Sequence, residues 1–481
     1  MGRAPEASLL KRAARNRSRN RSIRPFMKIL TVHNSYQQPG GEDEVFRQEA
    51  RLLEEHGHEV IRCHGHNDEV NGKGSIELLT KTIFNSDAYR RMRSLIKATR
   101  PNVMHVHNTF PLLSPAVYYA AAHEAVPVVQ TLHNYRLLCP AGLLFRDHAI
   151  CEQCLHTASP WPAVLHGCYR GSRPASAAAA TMLTVHRLLK TFKKTVSTYI
   201  ALSDFARAKF IQSGIPADKI ATKPNFVHPD PGQGDGSGGY CLFVGRLSHE
   251  KGIRTLLDAW TRHSPPLDLE IAGDGDLGPE VAAAANQCSR IHWHGRLEKP
   301  QLQERMKKAA ALIVPSIWYE PFGLVLIEAF AMGLPVVASK IGAMESMVEH
   351  GRTGLHFTPG DAKDLAARVE WLRRHPHDAA AMRGEARREF ERHYTGERNY
   401  SLLMQIYRRT IGRYGSAEFA AAKPEWGELS ASGVENTAGL VNITGQPSSQ
   451  TRIAMQRDAS RLAGESQSSD LKALFQGILS K

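Results

Sequence analysis

The run from Ala311 to Ala338 leaves this chain little freedom of architecture. An unbroken apolar stretch, Ala311–Val314, stops at Pro315 and gives way to a short loop carrying Glu320, Pro321, Phe322 and Gly323. A helical stretch, Leu324–Met332, follows, is closed by Gly333, and leads into a second apolar run, Val336–Ala338. Short apolar runs without alternation fit strands covered on both faces, and glycine just past a helical stretch marks its end. The segment therefore reads as strand–loop–helix–strand, the repeating unit of a parallel sheet. Its loop delivers backbone N–H groups to a helix N-terminus, which attracts phosphate. Glu320 stands at the mouth of that loop and Glu328 further inside the helix, so both can address one ligand. Carboxylates accept hydrogen bonds from vicinal hydroxyls, and two of them beside a phosphate cradle suit a sugar nucleotide.

The same alternation fills most of the chain. Strands are expected at Ile29–Val32, Glu59–Cys63, Val103–Val106, Val126–Thr131 and Thr198–Leu202, with helices at Glu42–His56, Pro115–Ala125 and Asp204–Ser213. After a run rich in Gly, Pro and Asp, Pro229–Gly239, a second series starts at Tyr240–Val244 and continues at Leu269–Ala272 and Ile291–His294. The expected fold class is α/β, with two Rossmann-like parallel-sheet domains facing a cleft and ligands at the carboxyl edges of their strands. The expected organisation is a basic flexible extension over 1–26, a first domain over 27–228, a hinge over 229–239 and a second domain over 240–399. A closing helix over 400–413 and a polar, largely disordered tail over 414–481, with a short helix at Asp470–Leu479, complete the chain.

With 481 residues, 42% of them hydrophobic, and no uninterrupted apolar run of bilayer length, the sequence excludes an integral helical membrane protein. The net charge is +14, and residues 1–26 hold eight cations against Glu6 alone, half of that excess. This segment lacks the apolar core of a signal peptide. It reads as an arm for acidic surfaces or, better, as an upstream extension, because Met27-Lys28 opens a strand at once. The rest remains basic, which suits anionic ligands and membrane surfaces. Seven cysteines without a secretion signal fit a reducing, cytoplasmic setting. Cys63, Cys241 and Cys288 are scattered and are expected to act as buried apolar groups.

Glu320-x7-Glu328 with Pro-Phe-Gly after the first Glu, preceded by Val244-Gly-Arg-Leu-Ser-His-Glu-Lys-Gly252, resembles the signature of retaining glycosyltransferases of the GT-B fold, family 4. The likeness covers roughly Met27 to Arg413. It implies that Arg246 and Lys251, in the loop opened by Gly245, neutralise the leaving diphosphate, with Arg as a planar fork and Lys as a mobile point charge. Glu328 would hold the donor ribose, Glu320 would touch the transferred sugar or steady the donor, and the N–H groups of Phe322, Gly323 and Leu324 would meet the sugar and phosphate. Gly273 would turn beside the nucleotide, Arg296 would line the base pocket, and Gly40 and Gly41 would face the phosphates from the first domain. His133 would meet the sugar and acceptor, by hydrogen bond or proton relay. His105 and His107 share a strand face, and His107 could approach the acceptor. The closing helix would cross back onto the first domain. Retention of configuration is likewise implied by the family, with a front-face mechanism needing no metal for catalysis. Asp274-Gly275-Asp276 then reads as turn chemistry rather than a metal site.

Cys139-x11-Cys151-x2-Cys154-x13-Cys168 has the makings of a closed structural zinc site or of free, partly buried thiols. Tyr89–Arg100 and Val185–Lys194 mix cations with Leu, Ile or Phe and could meet the anionic inner face of a plasma membrane. The reading is a hexosyltransferase using a nucleotide sugar and a glycan or glycolipid acceptor, with no nucleic-acid partner. Rivals are a nucleotide-sugar epimerase of similar shape, a non-catalytic nucleotide-sugar scaffold, and a nucleic-acid binder resting on the basic first 26 residues and the Cys151-x2-Cys154 cluster.

Overall fold

The computed structural model describes residues 26–35, 40–66, 75–415 and 440–442. The strands are β1 (Lys28–Ser35), β2 (Glu59–His66), β3 (Val103–Val106), β4 (Val128–Leu132), the two-residue β5 (Phe145–Arg146) and β6 (Ala149–Ile150), β7 (Thr198–Ala201) and β8 (Ile220–Thr222). They continue as β9 (Tyr240–Val244), β10 (Asp268–Ala272), β11 (Ile291–Trp293), β12 (Ala311–Val314), β13 (Val336–Ser339), β14 (Gly354–Phe357) and β15 (Leu440–Asn442). One sheet has the order β15-β2-β1-β3-β4-β7-β8 and the other β11-β10-β9-β12-β13-β14, all neighbours parallel. Each sheet reverses direction once, between β1 and β3 and between β9 and β12. Such switch points open a crevice beyond the strand ends, the place where α/β sheets hold ligands.

Both faces of each sheet are covered, which is why a strand such as β12, Ala311–Val314, reads as an unbroken apolar run. Leu30 and Val32 point into one cluster of the first lobe and Ile29 into another. In the second lobe Cys241 and Phe243 face one cluster while Leu242 faces the other. Cys288, expected to be buried, is only half-buried. The helix Gly396–Tyr414 supplies Tyr400, Leu403, Met404 and Tyr407 to the cluster around Ile29, Val129 and Ile200, so the chain ends its second lobe by packing on the first.

Pro229–Gly239, expected as a hinge, lies along the second lobe. Gly234 N–H donates to Met332 O (2.9 Å), Gly236 N–H to Lys307 O (3.0 Å) and Gly238 N–H to Lys308 O (2.8 Å), while Asp230 pairs with Arg387. The extension over 1–25 and the helix expected at Asp470–Leu479 lie outside the described residues. So does the tail, except Tyr414, Gly415 and the edge strand β15.

No described helix is long and apolar enough to cross a membrane. Of the two basic stretches, the helix Ser86–Thr99 buries Ala88, Met92 and Ile96, and Arg93 pairs with Glu124 at 2.7 Å. The second keeps Leu188 73% exposed beside exposed Lys190, Lys193 and Lys194.

Candidate active site

At the second switch point, three strand exits are knitted together through their backbones. Gly245 N–H donates to Ala272 O (3.1 Å), Leu247 N–H to Asp274 O (2.8 Å) and Gly273 N–H to Gly295 O (2.7 Å). A Cβ on Gly273 would sit 1.9 Å from Gly245 O, so the close approach of β9 and β10 exits requires glycine there. Asp274 thus serves the turn through its backbone. Arg246 and Arg296, on two of these exits, are exposed and form no ion pair among the described residues.

Lys251 ends the short turn His249–Lys251, and Gly252 follows with φ 72°. A Cβ there would come 1.8 Å from Pro315 O, and Ile317 N–H donates to Glu250 O at 2.9 Å. This turn is therefore locked onto the loop after β12. The lock brings Lys251 Nζ to 2.7 Å from Glu320 Oε1, which also accepts from Ser316 Oγ at 2.5 Å. Glu320 is 4% exposed, and its Oε2 takes no hydrogen bond among the described residues. Glu320 thus holds the ammonium in place, a role beyond the sugar contact expected from sequence.

Gly323 precedes the helix Leu324–Ala331, and the N–H groups of Phe322, Gly323 and Leu324 find no acceptor among the described residues. Glu328, on this helix, forms no hydrogen bond or ion pair among the described residues. Burial, partly offset by Lys299, pushes its carboxyl up to about 7. Free donors at a helix start, free guanidinium groups, a positioned ammonium and an unpaired carboxyl form one polar face.

The first lobe answers across the cleft. A Cβ on Gly41 would lie 3.5 Å from Leu324 Cδ2, so the start of the helix Gly41–Glu55 abuts the start of the helix Leu324–Ala331. Gly40 N–H donates to Asp43 Oδ2 (2.8 Å), and Lys299 Nζ reaches Glu44 Oε1 (3.0 Å). Ser203 Oγ donates to Pro321 O at 2.8 Å, and the rings of Phe205 and Tyr319 lie 4.8 Å apart.

His133 leaves β4 beside this junction. Its Nε2 is 3.0 Å from His107 Nδ1, and His107 Nε2 is 3.4 Å from Glu49 Oε1. Glu49 is buried and also meets His105 Nδ1 (3.0 Å) and Lys223 Nζ (3.0 Å), while Tyr407 OH lies 2.7 Å from the same His105 nitrogen. A carboxylate only accepts, so the tautomer that suits the 3.4 Å contact keeps the proton of His107 on Nε2, toward Glu49, and lets its Nδ1 accept the hydrogen bond from His133 Nε2–H. That order leaves His133 Nδ1 as an acceptor. Burial and neighbouring His105 hold His107 down to about 3, and burial with His107 keeps His133 well below the usual range. Both rings are neutral near pH 7, which favours hydrogen bonding over proton release. Sequence reading missed Glu49 and Lys223. The available signal was a glutamate among the buried residues Val45, Phe46, Ala50, Leu52 and Leu53 of an amphipathic helix.

The four clustered cysteines lie just past His133, in a segment whose hairpin pairs β5 with β6. Tyr135 N–H donates to Gly142 O (3.0 Å), tying that segment to the β4 exit. The hairpin turn reaches across the cleft, with the His148 ring 4.5 Å from that of His249 in the Lys251 turn.

A paired-sheet nucleotide-type fold with a cationic, donor-rich face at its second switch point is the class these features define. Residues 39–231 match the family Glycosyltransferase Family 4, and residues 233–389 match Glycosyl transferases group 1. The chain belongs to glycosyltransferase family 4, of GT-B fold. It is similar to a glycogen synthase of Mycobacterium tuberculosis, 29% identical over 299 residues, 61% of this chain. The match spans 65% of that relative, less than two thirds of its length. An alpha-maltose-1-phosphate synthase of Mycolicibacterium smegmatis is 29% identical over 295 residues, 56% of this chain and 74% of the relative. Among solved structures, Anabaena Alr3699/HepE in complex with UDP superposes with a TM-score of 0.57 at 19% identity, covering 80% of this chain and 100% of that one. Sucrose-phosphate synthase from Thermosynechococcus elongatus does so with 0.60 at 16% identity, with the same coverages. At such identity these likenesses speak for the fold alone.

Proposed function

We propose that this protein transfers a hexose, with retention of configuration, from a nucleoside diphosphate sugar to a hydroxyl of a glycan or lipid-linked acceptor. The observation that carries the reading is Lys251, held on buried Glu320, with exposed Arg246 and the N–H groups of residues 322–324, which are unpaired among the described residues. Diphosphate needs such a face most when the bond to the sugar breaks and charge grows on the leaving oxygen. In the front-face step, the C1–phosphate oxygen bond breaks and the acceptor oxygen bonds to C1 from the same side. The acceptor proton passes to the departing phosphate oxygen, and Arg246 and Lys251 stabilise the resulting charge. Glu328, once ionised, accepts from the ribose hydroxyls, and His133 Nδ1 accepts from a hydroxyl of the sugar. A cavity of about 40 Å³ lined by His107, His133, Asn134 and Arg136 adjoins this position and suits part of an acceptor. The exposed Leu188 with Lys190, Lys193 and Lys194 supports peripheral contact with an anionic membrane carrying such an acceptor.

The test is to incubate the protein with UDP-, GDP- and ADP-sugars and follow thermal stabilisation and donor consumption. One nucleotide series should stabilise the protein and be turned over, more rapidly with acceptor present. An isomerised sugar nucleotide without transfer would favour the epimerase, and stabilisation without turnover the scaffold.

A further inference from the structure

We propose that Cys139, Cys151, Cys154 and Cys168 together hold one structural zinc ion. All four are free thiols, and all four line one cavity of about 10 Å³, room for a single small sphere. Each comes from a backbone turn rather than a regular element. Gly142 N–H donates to Cys139 O (2.8 Å), Cys151 N–H to Leu144 O (2.9 Å), Leu155 N–H to Glu152 O (2.9 Å) and Cys168 N–H to Ala163 O (3.0 Å). The first and last are separated by a hairpin and a short helix, so this convergence is tertiary, beyond what the Cys151-x2-Cys154 spacing alone ensures.

Charge supports the assignment. Zinc replaces four thiol protons, which leave to solvent, and a tetrathiolate zinc centre carries two net negative charges. Two guanidinium groups stand ready for them. Arg146 lines the same cavity as the four thiols, and Arg187 donates to Leu138 O (3.2 Å), the residue before Cys139. Arg187 also donates to Leu137 O (2.9 Å) and Thr157 O (2.9 Å), so it braces both ends of the segment.

Among the described residues, only Glu49, His105 and His107 bring three ligand atoms within 4.8 Å of one another. Lys223 already neutralises Glu49 there. The thiols ring their cavity more loosely, and a bound ion would draw them in to about 2.3 Å. Four protein ligands leave no open coordination position, so the ion acts by shape. It would fix the hairpin whose His148 meets His249 in the Lys251 turn.

This assignment is independent of the transfer reading and is tested by metal analysis. Protein purified without added metal should carry about one zinc per chain, released when a mercurial titrates the thiols. Exchange for cobalt should give the visible bands of a tetrahedral tetrathiolate. Cys154→Ser and Cys168→Ser should lose the metal and lower the Tm. If the variants fail to fold, the wild-type metal content and cobalt spectrum decide alone. Less than about a tenth of an equivalent of zinc, with no cobalt bands after reduction and reloading, would overturn the proposal. So would iron as the bound metal.

Discussion

At the crevice of the first sheet, Glu49 lies buried among Lys223, His105 and His107, and each charge is met inside the protein. At the crevice of the second sheet, Arg246 and Arg296 are exposed, and among the described residues three consecutive N–H groups lack acceptors and Glu328 is unpaired. The two lobes share a topology and use polar groups in opposite ways. The first satisfies its ion pair internally, which fixes the orientation of His107 and His133 but leaves little free charge to bind anything. The second leaves its donors open, and only Lys251 is held in advance, by Glu320. A ligand rich in negative charge is therefore expected to bind chiefly to the second lobe and to be oriented by the first.

Breaking the internal pair should have the largest effect, on stability. Lys223→Met leaves the buried Glu49 carboxylate without its ammonium partner, and urea unfolding should show a loss of about 3–5 kcal/mol. Adding Glu49→Gln to the same chain should restore part of it. An unchanged midpoint in the single variant would mean that water already reaches Glu49.

Lys251→Ala acts on the open lobe and should leave the fold intact. Transfer should slow by about 10²–10³-fold, read as kcat with whichever nucleotide sugar the stabilisation screen selects. A fall confined to KM would assign Lys251 to ground-state binding instead.

Glu328→Gln separates binding from stability. The carboxyl is raised in the folded protein to about 7 from an ordinary 4.5, so its folded state holds the proton more tightly than the unfolded chain. That contribution is complete below the ordinary value and is lost as pH rises through the folded one. The Gln variant should accordingly melt higher than wild type above pH 7 and show no such advantage below pH 4.5, while nucleotide affinity at pH 8 falls about tenfold. Parallel Tm profiles across this range would remove the assigned shift. Arg296→Ala should be mildest, weakening nucleotide binding by no more than about threefold, because a lone exposed cation is well screened.

Much of this was legible in the sequence. The unbroken apolar run Ala311–Val314 and the mostly apolar Ile29–Val32 announced parallel strands, because strands covered on both faces have little polar side to show. Lys251 and Glu320 were named from their neighbours, and their loops do come together. The reason is local in the sequence, a glycine at 252 that permits contact with Pro315. Glu49 with Lys223 stayed hidden, since an ion pair joining one helix to the residue just after β8 has no periodicity to betray it. The linker glycines were read as freedom, but they let the backbone of 229–239 run against Met332, Lys307 and Lys308. Glycine marks both flexibility and close approach, and sequence does not distinguish them.

Calorimetric titration of wild type and the Arg246→Ala/Lys251→Ala double variant with UDP, GDP and ADP addresses the open lobe most directly. Wild type should bind at least one of these diphosphates, and the double variant should lose that binding by about a hundredfold while remaining folded. Equal affinity in both proteins, or binding by neither with the fold intact, would contradict a diphosphate seat at the second sheet.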